Sequence, residues 1–73
     1  MWNDKEKKDI QSVVEHLSEV LKITSGITLS ADLNKGIVIL LNESKSPIKE
    51  INIADNSPYG VLEDIMSQVL TNG

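Results

Sequence analysis

Few residues in this chain are suited to acid–base or nucleophilic chemistry. His16 is the only histidine, it stands beside Glu15 and three residues before Glu19, and there is no cysteine. A catalytic serine, histidine and carboxylate need an enclosing pocket as well as one another. A single histidine inside a helical pattern is more typical of a local pair with Glu19 on the helix surface. We therefore predict no enzymatic activity and no catalytic residues.

Metal and cofactor sites are not indicated either. Asp32, Asn34 and Glu43 stand at the spacing of the first, third and last ligands of an EF-hand calcium loop. The two positions that need an oxygen ligand and a glycine are instead occupied by Gly36 and Ile37. The four glycines of the chain are scattered, and none belongs to a glycine-rich phosphate loop. We predict no bound metal and no cofactor.

The composition predicts a small acidic domain. The chain has 73 residues, seven lysines, no arginine, eleven acidic residues and a formal net charge of −4. This length predicts one domain, residues 1–73, with a single small core. The charged first residues are not followed by the apolar segment of a signal peptide, and the longest apolar run, Ile37 to Leu41, is too short to span a membrane. Because cysteine is absent, we expect a cytoplasmic location.

The first predicted element is an amphipathic helix that spans about Asp4 to Ile23. Apolar residues recur along it at helical spacing, and Val20 belongs to this apolar stripe. Asn3, with a glutamate three residues later, forms a capping-box pattern at its start. Gly26 supplies a stop signal just beyond its end.

The last predicted element is a second helix near the C-terminus. Ser57 is a favourable N-cap, and Pro58 is tolerated at the first helical position because its missing N–H has no partner there. The helix should end near residues 71–73. Its apolar side is predicted to comprise Tyr59, Leu62, Ile65, Met66, Val69 and Leu70.

Three strands are predicted between the helices. The first alternates apolar and polar residues, the second is apolar on both sides, and polar turn residues separate all three. Short connections favour adjacent antiparallel strands. We therefore predict an α+β fold of order α-β-β-β-α, in which two helices pack on one face of a three-stranded antiparallel meander. The predicted strands are Ile27–Leu33, Ile37–Leu41 and Ile48–Ile53.

The middle strand predicts an interaction surface. Its side chains alternate between the two faces of the sheet, and we expect Ile37, Ile39 and Leu41 to face the helices. Val38 and Leu40 would then point to the free face. An apolar patch on so small a fold predicts burial in a partner, and we expect a homodimer that uses this free face or a sheet edge. A Leu40→Lys variant would then be a folded monomer.

Two aromatic residues are candidate interface anchors. Trp2, the only tryptophan, precedes the predicted N-cap, and Tyr59 lies in the first turn of the second helix. For Trp2, a structural role at the start of the helix or the edge of the core is the favoured alternative. Our first hypothesis is therefore a non-enzymatic protein–protein interaction module that self-associates.

An alternative function comes from the acidic residues of the C-terminal half. Glu50, Asp55, Glu63 and Asp64 would form an acidic surface. Such a surface imitates nucleic-acid charge and binds a basic partner, so the alternative is an acidic inhibitor of a basic host protein. An ordinary solvated surface is the simpler interpretation of the same residues.

The α-β-β-β-α order resembles that of double-stranded-RNA-binding domains. Those domains recognise A-form RNA by its shape, with a basic cluster at the start of their last helix. The corresponding segment here, residues 57–64, has two acidic residues and no basic residue. Phosphate neutralisation supplies most non-specific affinity. We therefore predict no nucleic-acid partner, and RNA binding ranks behind both functions above.

A second resemblance lies in the C-terminal third of the chain. The segment Ile51–Pro58, which runs into residues 62–65, is similar to the strand–turn–helix ending of small uncharacterised phage and prophage proteins. This resemblance implies a phage or prophage origin and no particular activity.

Overall fold

Two helices and one three-stranded sheet make up residues 2–72, the part of the chain that the computed structural model describes, with side chains described for residues 2–70. The predicted α+β fold and its α-β-β-β-α order are confirmed. No helix in the described range is long and apolar enough to cross a membrane. The elements are α1 (Asp4–Ser25), β1 (Thr28–Asp32), β2 (Ile37–Leu41), β3 (Pro47–Asn52) and α2 (Pro58–Asn72).

Helix α1 begins at the predicted residue and runs two residues beyond the predicted end. The Asn3 side chain accepts a hydrogen bond from the Glu6 backbone N–H at 2.7 Å, and the Glu6 carboxylate accepts one from the Asn3 N–H at 3.2 Å. At the other end Gly26 adopts a left-handed conformation, with φ at 67°, and its N–H donates to the Leu21 carbonyl. Glycine adopts this conformation without the steric cost of a Cβ, so the helix ends there.

Helix α2 also begins where its capping residues predict. The Ser57 hydroxyl oxygen accepts a hydrogen bond from the Gly60 N–H at 3.0 Å, and the Ser57 carbonyl accepts one from the Val61 N–H at 2.9 Å. Pro58 occupies the first helical position. These bonds satisfy two N–H groups of the first helical turn.

Both helices pack on the same face of the sheet, α1 against β1 and α2 against β3. The strands are ordered β1-β2-β3, and both neighbouring pairs are antiparallel. The buried apolar side chains form one cluster between the sheet and the helices. Its members are Ile10, Val14, Leu21, Leu29, Val38, Leu40, Ile51, Ile53, Val61, Ile65 and Val69.

The predicted orientation of β2 is wrong. Val38 and Leu40 are fully buried under the helices, and they are therefore not an exposed interface. The strand register explains the orientation, because Leu40 lies opposite Leu29 while Val38 lies between Ala31 and Ile51. This face is apolar on all three strands in the row through Val38 and on β1 and β2 in the row through Leu40, where β3 supplies Lys49. The helices cover it because apolar burial is the main driving force for packing.

The N-terminal end of α1 is bonded to the loop that leads into α2. The Trp2 indole N–H donates to the Asn56 carbonyl oxygen at 2.7 Å, and the indole packs against the core cluster. The Asn56 side-chain amide donates to Asp64 Oδ2, also at 2.7 Å. Beside them, the Ile53 N–H donates to the Gly36 carbonyl at 2.8 Å. These contacts fix the start of both helices relative to the β1–β2 turn.

Candidate interaction surfaces

His16 lies on the exposed side of α1 and is not paired with Glu19. Its Nδ1 atom lies 2.7 Å from the Ser12 carbonyl oxygen and 3.4 Å from the Ser12 hydroxyl, one turn earlier in the helix. The predicted pair with Glu19 is therefore wrong, and the local contact of His16 is with Ser12. In the described residues no group of three or more histidine, aspartate and glutamate side chains is placed to hold a metal ion.

Asp32, the first residue of the calcium-loop-like spacing, has a structural role. Its Oδ1 atom accepts hydrogen bonds from the backbone N–H groups of Asn34 at 3.1 Å and of Lys35 at 3.2 Å. An aspartate that bonds the backbone two and three residues ahead stabilises a tight turn. Asp32 therefore shapes the β1–β2 hairpin.

The sheet face turned away from the helices, here called the open sheet face, has an apolar row along its centre. Ile37, Ile39 and Leu41 of β2 point to this face and are partly exposed. They lie beside the edge strands, whose side chains cover part of each. The flanking residues are Thr28, Ser30 and Asp32 of β1 and Glu50 and Asn52 of β3.

The two helices run in the same direction across the other side of the sheet. Each strand runs antiparallel to the one before it, and short connections reverse the chain between helices and strands. Helices α1 and α2 are therefore parallel, and their C-terminal ends lie at the same end of the molecule. A shallow depression at that end brings Ser25 and Val69 together.

The two flanks of α1 face different neighbours. The Ser18 hydroxyl oxygen accepts a hydrogen bond from the Leu29 N–H at 3.2 Å, and Lys22 borders the same groove along β1. Successive helical residues are about 100° apart, so Val20 lies on the flank opposite Ser18. That flank faces α2, with which α1 is in contact. Since α2 is parallel to α1 and lies on its other side, its facing flank is turned about 100° the other way from its buried positions. Met66, one residue after the buried Ile65, therefore lies toward α1.

Apolar side chains line the outer side of the α1–α2 seam, and we call them the helix patch (Val20, Ile23, Tyr59, Met66 and Leu70). On α1, Ile23 is 85% exposed and Val20 is 54% exposed. On α2, Leu70 is 76% exposed and Tyr59 is 69% exposed, while Met66 is partly buried between them. Four of the five large apolar side chains that are strongly exposed among residues 2–70 thus belong to this patch.

Carboxylates border the helix patch on both sides. Glu19 lies on the outer side of α1 and Glu63 on the outer side of α2, and both are exposed. Within residues 2–70, neither has an ion-pair partner. Glu19 also borders the groove beside β1, together with Lys22 and Lys45. The remaining lysines of α1 lie in its first five residues, toward the Tyr59 end of the patch. The helix C-termini add partial negative charge at the Leu70 end.

The two predicted aromatic anchors have different environments. Trp2 is partly buried, donates its indole N–H within the molecule and packs against the core, so it has the core-edge role. Tyr59 is largely exposed in the first turn of α2. Of the two, only Tyr59 is free to bury most of its ring in a partner.

The four predicted acidic residues do not lie together. Glu50 points to the open sheet face, so the sheet separates it from the helices. Asp64 accepts a hydrogen bond near the start of α2, and Asp55 lies in the preceding loop with φ at 62°. Glu63 alone borders the helix patch. Of the predicted acidic surface, Asp55, Glu63 and Asp64 lie near the start of α2 and Glu50 lies apart from them, and the alternative function stays a prediction.

The helix patch was not predicted from the sequence. Val20 and Leu70 belong to apolar stripes that were expected to face the core, and Ile23 lies outside both stripes. The available signal is the width of the apolar arc on α1. From Val14 to Ile23 this arc covers about half of the helix circumference, more than the roughly 100° that one core-facing stripe needs.

Comparisons with protein-family models, curated proteins and solved structures gave no match. The resemblances to double-stranded-RNA-binding domains and to phage proteins therefore stay predictions.

Proposed function

We propose that this protein is a small non-enzymatic interaction module that self-associates and also binds a second protein. The observation that carries the proposal is the apolar surface left outside the core on both outer faces. Contiguous exposed apolar surface on a small domain is typical of a site of protein contact. The two faces differ in shape and charge, and we assign them to different partners.

Self-association is assigned to the open sheet face. Two sheets pack face to face at about 10 Å, as in β-sandwiches. A twofold axis through Ile39 would place the apolar row of one copy against that of the other, so that a single self-complementary surface forms the contact. Asp32 and Glu50 also flank the row. With the axis parallel to β2, Glu50 of one copy lies over Ser30 of the other and Asp32 lies over Asn52, so no two carboxylates are brought opposite each other.

The dimer should be weak. Three strands about 4.8 Å apart and about 3.3 Å long per residue give a face of roughly 15 Å by 17 Å. This area is well below the roughly 800 Å² that each partner buries in a standard interface. We therefore expect a dimer that dissociates on dilution.

The helix patch is assigned to a different protein because its charges oppose self-association. In a twofold contact through the patch, Glu19 and Glu63 of one copy would approach the same carboxylates of the other. Like charges brought together in an interface are unfavourable. The patch also has more strongly exposed side chains than the open sheet face, so it is the better anchor for a partner.

Light scattering over a dilution series tests the self-association. We expect a mass above the 8.0 kDa of the single chain at high concentration and a fall toward it on dilution. The Ile39→Lys variant should be a folded monomer throughout, because a lysine would place its charge in the centre of the contact. The matched Ser44→Lys variant, changed in the exposed β2–β3 turn, should associate like the unmodified chain.

Two results would contradict this assignment. One is an unmodified chain that stays at 8.0 kDa at every concentration. The other is an Ile39→Lys variant, shown by circular dichroism to be folded, that associates as strongly as the Ser44→Lys control.

A further inference from the structure

We infer that four polar residues of the open sheet face fix the orientation of the two copies in the dimer. The inference rests on the proposed function, since it takes the open sheet face to be the contact between copies, and it adds the arrangement of that contact. The twofold axis runs parallel to β2, so that β1 of each copy lies over β3 of the other. The four residues are Ser30 and Asp32 of β1 and Glu50 and Asn52 of β3.

The four residues form two pairs, each with a hydrogen-bond donor and a charged acceptor. Ser30 and Glu50 flank Ile39 on its two sides, and Asp32 and Asn52 flank the residue two positions earlier in β2. When β1 lies over β3 of the other copy, the Ser30 hydroxyl meets the Glu50 carboxylate. In the same way the Asn52 amide meets the Asp32 carboxylate. Hydrogen bonds to a charged acceptor are stronger than those between neutral groups, and the symmetry makes each pair occur twice.

The bonds that Asp32 and Asn52 make within the chain leave the atoms that this arrangement needs. Asp32 accepts the N–H groups of Asn34 and Lys35 through Oδ1, so Oδ2 is the oxygen that can accept from a partner. Asn52 Oδ1 accepts a hydrogen bond from the Ala54 N–H at 3.0 Å. The amide N–H groups of Asn52 are therefore the part of this side chain that can donate to a partner.

The lengths of the paired side chains also suit the space between two packed sheets, which lie about 10 Å apart. The long Glu50 side chain faces the short Ser30 side chain. Asp32 and Asn52 are both of intermediate length. Each pair therefore spans a similar distance, as a contact packed without voids requires.

The other twofold orientation, with the axis across the strands, lacks this complementarity. It places Glu50 over Glu50 and Ser30 over Ser30, so two carboxylates meet near the centre of the contact while two short side chains leave a gap. It would also bring Asp32 over Thr28, beside Lys45, whose Nζ lies 3.4 Å from Thr28 Oγ1. An exposed ion pair at the border of a contact contributes little, so it does not offset the facing carboxylates.

Cysteine cross-linking tests the orientation, because the chain has no cysteine of its own. Ser30→Cys and Glu50→Cys variants are treated with a short thiol-to-thiol cross-linker, each alone and as an equal mixture. Directly facing residues are about 10 Å apart, and residues offset by two strands are about 14 Å apart. We expect about twofold or more cross-linked dimer in the mixture than in either variant alone. A Glu63→Cys variant, changed on the outer side of the helices, measures cross-linking by random collision.

Light scattering on a Glu50→Ser variant gives a second, independent readout. This variant loses the acceptor for Ser30, so its dimer dissociation constant should rise about threefold or more. The axis across the strands predicts the opposite, since the variant would remove two facing carboxylates. The matched Glu15→Ser variant makes the same change in net charge on α1 and should associate as the unmodified chain does. The Ser30→Glu, Glu50→Ser double variant exchanges the paired side chains between the strands and should restore association.

Two results would overturn the inference: no more cross-linking in the mixture than in the single variants, or stronger association of Glu50→Ser than of Glu15→Ser. If Ile39→Lys is at the same time a folded monomer, only the orientation fails and the proposed self-association stands. An unmodified chain that stays at 8.0 kDa at every concentration, with no more cross-linking than Glu63→Cys shows, overturns both.

Discussion

The open sheet face and the outer side of the helix layer expose apolar side chains for different reasons. On the sheet, Ile39 and its neighbours in β2 are partly covered by the edge strands on both sides. On the helices, Ile23 and Leu70 are 85% and 76% exposed and have little cover. A central strand that is apolar on both faces must expose one face when the helices cover only the other. The helices are under no such constraint.

This difference indicates which surface is the stronger candidate for binding. Core packing does not constrain the residue types at the exposed positions of a helix pair, because the buried positions of each helix form a separate stripe. Apolar residues at Ile23, Tyr59 and Leu70 therefore have no explanation in folding. The apolar row of the open sheet face is in part a consequence of the fold.

Alanine substitutions on the two sides of β2 should differ most in their effect on the free energy of unfolding. Leu40 is fully buried and Ile39 is partly exposed. Leu40→Ala should lower the free energy of unfolding by about 2–5 kcal/mol, because it leaves a cavity in the core. Ile39→Ala should cost less than half of that. Urea denaturation measures both losses, and an unchanged m-value shows that they are changes in stability. Equal losses would mean that the two faces of β2 are covered alike.

The corrected orientation also reverses an expectation for Leu40→Lys. The sequence predicts a folded monomer, whereas the structure places that lysine in the core. An unpaired buried charge is strongly unfavourable, so we now expect this variant to lose its cooperative unfolding transition. Circular dichroism during urea titration distinguishes the two outcomes.

A smaller loss of stability is expected when the side-chain hydrogen bonds of Asn56 at the start of α2 are removed. Asn56→Ala removes an amide that donates to Asp64 and a side-chain oxygen that accepts from the Ser57 N–H at 3.0 Å. We expect a loss of about 1–3 kcal/mol in the free energy of unfolding. Asn34→Ala is the matched control, since Asn34 is exposed in a turn and bonds Asp32 through its backbone. If the two substitutions cost the same, the Asn56 contacts do not stabilise the fold.

The smallest effect should be found in the helix patch itself. Ile23→Ser should change the free energy of unfolding by no more than about 0.5 kcal/mol, because the side chain is exposed and the two residues have similar helix propensities. Leu21→Ala, two residues earlier in the core, should cost about 2–5 kcal/mol. A large loss for Ile23→Ser in the same urea titrations would show that Ile23 is needed for folding.

Local signals in the sequence predict most of the fold. Asn3 and Glu6 form the predicted capping box, and Gly26 and Ser57 stand at the predicted helix boundaries. The middle strand has the predicted bounds, and the edge strands differ from prediction by one residue at each end. These features depend on neighbours close in sequence, so a sequence pattern is sufficient to locate them.

The two candidate surfaces depend on contacts between distant residues and were harder to predict. In β2 every residue is apolar, so the strand alone does not indicate which side faces the helices. The pairing with β1 and β3 decides it, and an error of one residue in the register exchanges the two faces. The helix patch depends on the parallel arrangement of α1 and α2, which brings Ile23 and Leu70 to the same end.

The most direct test of the contrast between the two surfaces is light scattering on Ile39→Lys and Ile23→Lys at matched concentrations. Each variant adds one lysine to one surface, and both should remain folded. Our account predicts that Ile39→Lys is a monomer and that Ile23→Lys associates as the unmodified chain does. A monomeric Ile23→Lys beside an associating Ile39→Lys would contradict it, since the helix patch would then be the contact between copies.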